Sequence, residues 1–193
     1  MLSLEESLKI LKETNALIEG HFILSSGLHS PKYIQCAQLM SHPNQALKIC
    51  KSLASKIQKE FNDFNLILSP AMGGIIVGYE LGKILNKQNI FSERVNGKFK
   101  LRRDFKIKKG DRVLIVEDVI TTGKSSIECS KLVTLNSAII VGYACIIDRS
   151  NGKSEIKEKI ISQIELNIPT YSKDNLPKDL SSIEAVKPGS RNL

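Results

Sequence analysis

Several features that would place this 193-residue chain in a membrane or a secretory compartment are missing. No apolar run approaches the ~20 residues that a bilayer-spanning helix needs. The beginning, MLSLEESLKILKE, is amphipathic and acidic and has no signal-peptide core. The four cysteines contain no CxxC pair, which argues against a zinc site or a disulfide framework. We therefore expect a cytoplasmic protein with these cysteines buried as small apolar side chains: Cys36, Cys50, Cys129 and Cys145.

Constellations built around a catalytic nucleophile are also missing, since no Ser/His/Asp or Cys/His arrangement is visible. The three histidines, His21, His29 and His42, all lie in the N-terminal quarter, and we expect them to be structural. The net charge of +8 is compatible with nucleic acid, a membrane surface or polyanionic small molecules. The basic cluster between positions 94 and 109 lacks the aromatic platform of a single-strand binder. We expect small-molecule substrates and no nucleic-acid or membrane partner.

What the sequence does contain is an alternation of buried strands and amphipathic helices. Its 41% hydrophobic and 25% charged content is that of an ordinary globular protein. This alternation predicts an α/β fold with a mostly parallel sheet covered on both faces. The predicted strands are 66–69, one near Ile90, 113–117 and 138–148, and the predicted helices are 41–61, one from about Gly74, and 123–136.

The two ends of the chain depart from this pattern. Residues 21–36 predict two short strands around a Ser-Gly turn, and the prolines after Gly152 indicate a loop-rich tail. We expect one domain over 1–193, with an N-terminal helix and hood over about 1–40, a core over about 41–150 and a C-terminal extension over about 151–193. Apolar spacing predicts a first helix of about four turns that ends near Gly20, with these apolar positions: Leu4, Leu8, Leu11 and Ile18.

The stretch VLIVEDVITTGKS, residues 113–125, is the most informative in the chain. It places Glu117 and Asp118 at the mouth of a buried strand, where ligands of open α/β sheets bind. The ending GKS resembles a P-loop, but that motif needs a glycine five positions before Gly123, where this chain has Asp118. A different phosphate cradle is therefore indicated.

The hydroxyls of Thr121, Thr122 and Ser125, with the amides at the start of the next helix, can hold one monoester phosphate. Glu117 and Asp118 would repel that phosphate, so we expect them to accept hydrogen bonds from sugar hydroxyls or to help hold a divalent cation. Together these groups predict a ribose-5-phosphate site. The alternative is that the acids cap a turn and the threonines fill it, but adjacent acids at a buried strand end cost stability without a partner.

Three other segments are expected at the same edge of the sheet. The turn SPAMGG, residues 69–74, has small residues that let a ligand approach the backbone, or it is simply a tight turn. Arg149 follows a strand and can pair with a planar anion, or with a neighbouring acid. The segment SERVNGKFKLRRDF predicts a hairpin or mobile loop with Arg94, Lys98 and Lys100, which either closes over the site or is solvated.

These segments resemble the type I phosphoribosyltransferases. VLIVEDVITTGKS is similar to the phosphoribosyl pyrophosphate motif of that family. FILSSGLHSPKYIQ, SPAMGG, FSERVNGKFKLRRDF, IIDR and VKPGSR together resemble the orotate phosphoribosyltransferases over nearly the whole chain. The resemblance implies an α/β fold with a small N-terminal hood, and transfer of ribose 5-phosphate from phosphoribosyl pyrophosphate (PRPP) to orotate. It also implies Mg²⁺ held mainly through the substrate, and a homodimer in which the basic loop reaches the partner's site.

The same resemblance implies roles for individual residues. Where many orotate enzymes carry lysines, this chain has Ser25 and Gly73, and its loop offers its own set of cations. Lys98, Lys100 and Asp118 correspond to catalytic positions, and Thr121 and Arg149 to orotate-binding positions. The PRPP-binding positions are Arg94, Glu117, Asp118, Val119, Ile120, Thr121, Thr122, Gly123, Lys124 and Ser125.

Two alternatives remain at this point. One is a purine phosphoribosyltransferase, because the PRPP motif alone does not determine the base. The other is a regulator that keeps the fold and binds nucleotide or nucleic acid through its positive charge. No separate helix-turn-helix segment is visible, whereas the acids, hydroxyls and basic loop needed for turnover are present.

Overall fold

A six-stranded sheet forms the centre of the computed structural model, which describes residues 1–24 and 26–188. The order is β5-β4-β3-β6-β7-β8, and every neighbouring pair is parallel except β4 and β5. A separate pair, β1 and β2, is antiparallel. The mostly parallel sheet predicted from the sequence is confirmed. The strands are β1 (Leu17–Ile23), β2 (His29–Ile34), β3 (Leu66–Pro70), β4 (Gln88–Val95), β5 (Lys98–Leu101), β6 (Arg112–Ile120), β7 (Ile139–Asp148) and β8 (Ile160–Glu165).

Helices cover both faces of this sheet. Because side chains alternate along a strand, Ile67 and Leu114 join one buried cluster and Leu66 and Val113 join another. Helices α3 and α4 pack on the first face and α5 on the second. The helices are α1 (Leu4–Glu13), α2 (Cys36–Met40), α3 (Pro43–Glu60), α4 (Gly73–Leu85), α5 (Lys124–Leu135) and α6 (Lys178–Ser181), with a 3-10 helix at Lys173–Asn175.

The predicted four-turn N-terminal helix is wrong in its length. A capping box between Ser3 and Glu6 starts α1, but the helix ends at Glu13. The Thr14 hydroxyl donates to the carbonyl of Ile10, and the following asparagine adopts a φ of 54°, which no helix can continue. Ile18 therefore lies in β1 and not on the helix.

The hood is the antiparallel pair β1 and β2, as predicted, and the C-terminal segment packs against it. Val186 bridges Phe22 of β1, and Tyr171 bridges His29 of β2. His21 and His29 are buried and hydrogen-bonded to each other at 2.6 Å, which agrees with the structural role expected for them. Ser25 and the end of the VKPGSR motif, residues 189–191, lie outside the described residues.

The region after Gly152 was expected to be loop-rich, but it contains β8, which pairs in parallel with β7 at the sheet edge. The short helix α2 was not predicted either. The other predicted helices and strands are present, and β6 extends to Ile120 instead of ending at Glu117. No helix in the described part of the chain is long and apolar enough to cross a bilayer.

Candidate active site

The candidate site lies where β3, β6 and β7 end, at one edge of the sheet. Because these strands are parallel, their carboxyl ends and the loops after them meet there. Glu117 pairs with Cys145 and Ile120 pairs with Asp148, so the acids of β6 lie beside the end of β7. The Arg149 amide donates to the carbonyl of Ile120 at 2.8 Å, which joins the two strand ends.

The two acids are half-buried, and the described residues contain no ion-pair partner for either of them. Burial and the neighbouring charge of Asp118 raise the pKa of Glu117 to about 8, while a hydrogen bond from the Ser126 hydroxyl at 3.0 Å opposes that shift. Burial also raises the pKa of Asp118, whose Oδ1 accepts from the Val119 amide at 2.9 Å. Such a pair favours ligands that bring hydrogen-bond donors or a cation.

Residues 121–125, here called the phosphate turn, connect β6 to α5. Gly123 is the N-cap of α5, with φ 79°, and provides no side chain to cap the helix. The Lys124 amide donates to the Thr122 hydroxyl oxygen over a long 3.4 Å, so an anion can compete for the amides of this first turn, and the side chains of Thr121, Thr122 and Ser125 are exposed beside them. These are the groups that the sequence predicts as a phosphate cradle, and their role stays a prediction.

The remaining PRPP-binding candidates differ in what they can present. Ile120 is buried in the core on the α5 side, and Val119 packs against the core on the other side. Only the backbone of these two residues is available to a ligand. Lys124 is exposed at the first position of α5, so its side chain is accessible.

The turn between β3 and α4 approaches the acid pair closely. A Cβ built on Gly73 would lie 2.6 Å from the Asp118 carboxyl, which is closer than real contacts allow. A side chain at this position would therefore push the Asp118 carboxyl out of its present place. The peptide bond between Ala71 and Met72 in this turn is cis, and Met72 is 83% exposed.

Arg149 is partly buried where β7 ends. Its Nε is buried and has no hydrogen-bond partner among the described residues, and it forms no ion pair there. Burial lowers the pKa of the guanidinium. The neighbouring Asp148 accepts a hydrogen bond from the Ser150 amide at 2.7 Å and forms no ion pair with the Arg149 guanidinium. The alternative of a structural salt bridge at Arg149 is therefore not supported, and the guanidinium retains capacity for a ligand.

The basic segment forms a hairpin of β4 and β5, with Asn96 and Gly97 in the predicted turn. Arg94 is occupied by protein groups, since it pairs with Glu128 at 2.8 Å and lies 4.1 Å from the Phe99 ring centre. Lys98 and Lys100 are exposed and form no ion pair within the described residues. Arg94 is exposed but engaged with Glu128, so Lys98 and Lys100 are the cations of this hairpin that form no ion pair within the described residues.

Sequence reasoning missed Ser126 and Glu128. Ser126 is buried on the first turn of α5 and donates to Glu117, whereas Glu128, two residues further along the helix, pairs with Arg94. The only available signal was their position on the helix after the TTGKS turn, where residues facing the β6 acids must lie.

Comparison with known proteins agrees with this geometry. Residues 37–175 match the phosphoribosyl transferase domain family. The orotate phosphoribosyltransferases of Parvibaculum lavamentivorans and Maricaulis maris are 46% and 43% identical over 190 residues, covering 98% of each chain. The crystal structure of orotate phosphoribosyltransferase from Aeropyrum pernix aligns with a TM-score of 0.72 at 25% identity, covering 82% of this chain and 92% of that one. The chain belongs to the orotate phosphoribosyltransferase family.

Proposed function

We propose that this protein transfers ribose 5-phosphate from PRPP to orotate, giving orotidine 5′-monophosphate and diphosphate in pyrimidine synthesis. One observation carries the proposal: a half-buried acid pair, a helix start whose N-cap glycine supplies no side-chain cap, and an arginine whose Nε has no partner among the described residues meet at one sheet edge. Its relatives at 46% and 43% identity are orotate phosphoribosyltransferases, which favours this activity over the purine alternative.

The phosphate turn is proposed to bind the 5′-phosphate of PRPP. The exposed hydroxyls of Thr121, Thr122 and Ser125 and the first amides of α5 supply donors on one side of that phosphate. Glu117 and Asp118, at the end of the preceding strand, then accept hydrogen bonds from the ribose hydroxyls. Both carboxylates are already partly removed from water and have no cation partner among the described residues. Hydrogen bonds from the ribose hydroxyls would therefore replace few existing interactions.

Arg149 is proposed to bind orotate, with Thr121 beside it. Orotate carries a carboxylate and a planar ring with carbonyl oxygens, which suit a guanidinium with donors to spare. A neutral purine lacks that carboxylate and would leave the guanidinium without a counter-charge. The unpaired Nε of Arg149 therefore supports an anionic base.

The chemistry needs little acid or base catalysis from this chain. Orotate arrives as an anion, so no strong general base is required, and C1′ gains oxocarbenium character as the diphosphate leaves. Two fixed substrates then react through orientation and electrostatic stabilisation. Lys98 and Lys100 are the accessible cations proposed to stabilise the leaving diphosphate once the hairpin closes and excludes water.

Magnesium is proposed as the cofactor, held mainly through the substrate. The described residues contain no group of three or more His, Cys, Asp or Glu that could hold a metal ion, and Mg²⁺ prefers six oxygens. The carboxylates of Glu117 and Asp118 would supply protein oxygens, and PRPP would supply the rest. Bound there, the ion neutralises charge on the diphosphate.

The four free, buried cysteines are compatible with a reducing compartment, which supports a cytoplasmic location.

We also propose a homodimer in which the hairpin of one chain serves the site of the other. A Lys98→Ala/Lys100→Ala double variant and an Asp118→Asn variant should each be nearly inactive. After subunit exchange, half the dimers combine both variants and each contains one intact site, so roughly a quarter of all sites should recover. If exchange is confirmed by a mass label but activity does not return, the hairpin does not act across a dimer.

The proposed reaction is tested by following orotate absorbance with PRPP and magnesium, then repeating the assay with adenine, hypoxanthine and uracil. Consumption of orotate alone, with release of diphosphate, is the expected result. Turnover of a purine in preference to orotate would contradict the proposal, as would the absence of any turnover in folded protein.

A further inference from the structure

The chain after Arg149 turns back and crosses the phosphate turn. A backbone hydrogen bond from Lys153 to Ser150 forms the reversal. The Glu155 amide then donates to the carbonyl of Thr122 at 2.9 Å. A residue 33 positions away in the sequence is therefore hydrogen-bonded to the peptide group between Thr122 and Gly123, in the middle of the turn.

The same segment fills the space beside Gly123. A Cβ built on that glycine would lie 2.7 Å from the Ser154 hydroxyl oxygen and 2.8 Å from Cγ1 of Ile156. Gly123 has φ 79°, a left-handed conformation that glycine adopts without strain but that also leaves the backbone free to change. Contacts from outside the turn must therefore hold it in one conformation.

We propose that residues 154–156 form a strap that positions the phosphate turn for PRPP. This inference rests on the proposed function, because it assigns the strap to the 5′-phosphate side of that substrate. Ile156 anchors the strap, since its side chain packs against the buried cluster under α5. The Glu155 side chain is exposed, so this residue acts through its backbone amide alone.

The strap also explains how the turn is ordered before substrate binds. The hydroxyls of Thr121, Thr122 and Ser125 are exposed, and the cap position of α5 contributes no side chain. If a loop becomes ordered only when ligand binds, the loss of conformational entropy reduces the free energy of binding. The strap reduces that cost because its contacts with Thr122 and Gly123 are made by protein groups alone.

The first test separates the amide of Glu155 from its side chain. Glu155→Pro removes the N–H that Thr122 accepts, and Glu155→Ala keeps it. We expect the proline variant to raise the KM for PRPP about tenfold or more while the KM for orotate and kcat change much less. The alanine variant should behave like the wild type. Equal KM values for PRPP in two folded variants would overturn the proposal.

A second pair of variants covers the case in which the proline variant does not fold. Ile156→Ala removes the contact with Gly123, and Ile160→Ala removes the same atoms from another isoleucine packed against the same core cluster. Ribose 5-phosphate and magnesium diphosphate serve as calorimetric probes. Ile156→Ala should weaken ribose 5-phosphate binding about tenfold, with diphosphate binding unchanged, and Ile160→Ala should affect neither. Ile156→Val should retain most of the affinity.

Equal effects of the two alanine variants, or equal losses for the two probes, would overturn the strap. These binding results do not depend on orotate turnover. If the wild type failed to use orotate, the proposed function would fail, while the strap would still be tested by ribose 5-phosphate.

Discussion

Replacing Ser126 with Ala should reduce activity in a pH-dependent way. The Ser126 hydroxyl donates a hydrogen bond to the Glu117 carboxylate at 3.0 Å. This hydrogen bond lowers the pKa of Glu117 and so opposes the effect of burial. Since the acid is proposed to accept hydrogen bonds from ribose, its ionised form is the competent one. kcat/KM for PRPP reports the free enzyme, so in the wild type it should rise with pH, reach half of its maximum at about 8 and level off at higher pH.

The size of the effect follows from the lost hydrogen bond. A hydrogen bond to a charged group contributes ~1.5–3 kcal/mol, which is a pKa change of about one to two units. At about pH 7 roughly a tenth of Glu117 is ionised in the wild type, and one further unit lowers that fraction to about a hundredth. kcat/KM should therefore fall about tenfold at about pH 7 and recover to near the wild-type value at about pH 10.

The assay is kcat/KM for PRPP across this pH range, in buffers of constant ionic strength. Ser130→Ala is the matched control, because Ser130 is a buried serine on the same helix whose hydroxyl bonds Ile127 and Tyr143 instead. It should leave the profile unchanged. A loss in Ser126→Ala that is equal at every pH would refute the reasoning, since it would indicate a structural defect and not an altered ionisation of Glu117.

Three further predictions concern other parts of the site. Gly73→Ala should lower kcat/KM about 10- to 100-fold, because the added Cβ would lie 2.6 Å from the Asp118 carboxyl. Met72→Ala in the same turn should be neutral, and equal activity of the two variants would contradict the close approach. Arg149→Ala should raise the KM for orotate far more than that for PRPP, by about 10-fold or more for a contact of ~1.5–3 kcal/mol. Equal effects on both KM values would remove Arg149 from the base site. Chelation of magnesium with EDTA should abolish turnover and added Mg²⁺ should restore it, whereas full activity in EDTA would exclude the proposed cofactor.

Much of the fold could be predicted because the sheet is buried on both faces. Strand β6 contains the apolar run VLIV and β7 is apolar along most of its length, and parallel strands bring their polar ends to one edge. The position of Glu117, Asp118 and the phosphate turn followed from that rule. The first helix was predicted too long because Ile18 was taken to continue its apolar spacing. Asn15 ends the helix with a φ of 54°, and the preference of asparagine for this left-handed conformation at helix ends was a signal that the apolar spacing overrode.

Other features depend on tertiary contacts that no local pattern records. The strand β8 has the sequence IISQIE, and its polar residues and charged neighbours in the sequence are typical of a loop. It is a strand because it pairs with β7, where Tyr143 and Ile147 are among its partners. The serine that supports Glu117 is one of several on α5, and its role depends on the rotation of that helix over β6. The ion pair between Arg94 and Glu128 joins segments 34 residues apart. Such contacts are decided by packing and not by spacing in the sequence.

The most direct test of the central claim is a comparison of Asp118→Asn with the wild type, with orotidine 5′-monophosphate quantified by chromatography. Asparagine keeps the size of the side chain and some hydrogen bonding but removes the charge that is proposed to organise ribose and magnesium. The account predicts product from the wild type and a loss of about 10²-fold or more in kcat/KM, or ~3 kcal/mol, in a folded variant with unchanged thermal stability. Near-normal product formation by folded Asp118→Asn would contradict the assignment of this sheet edge as the active site.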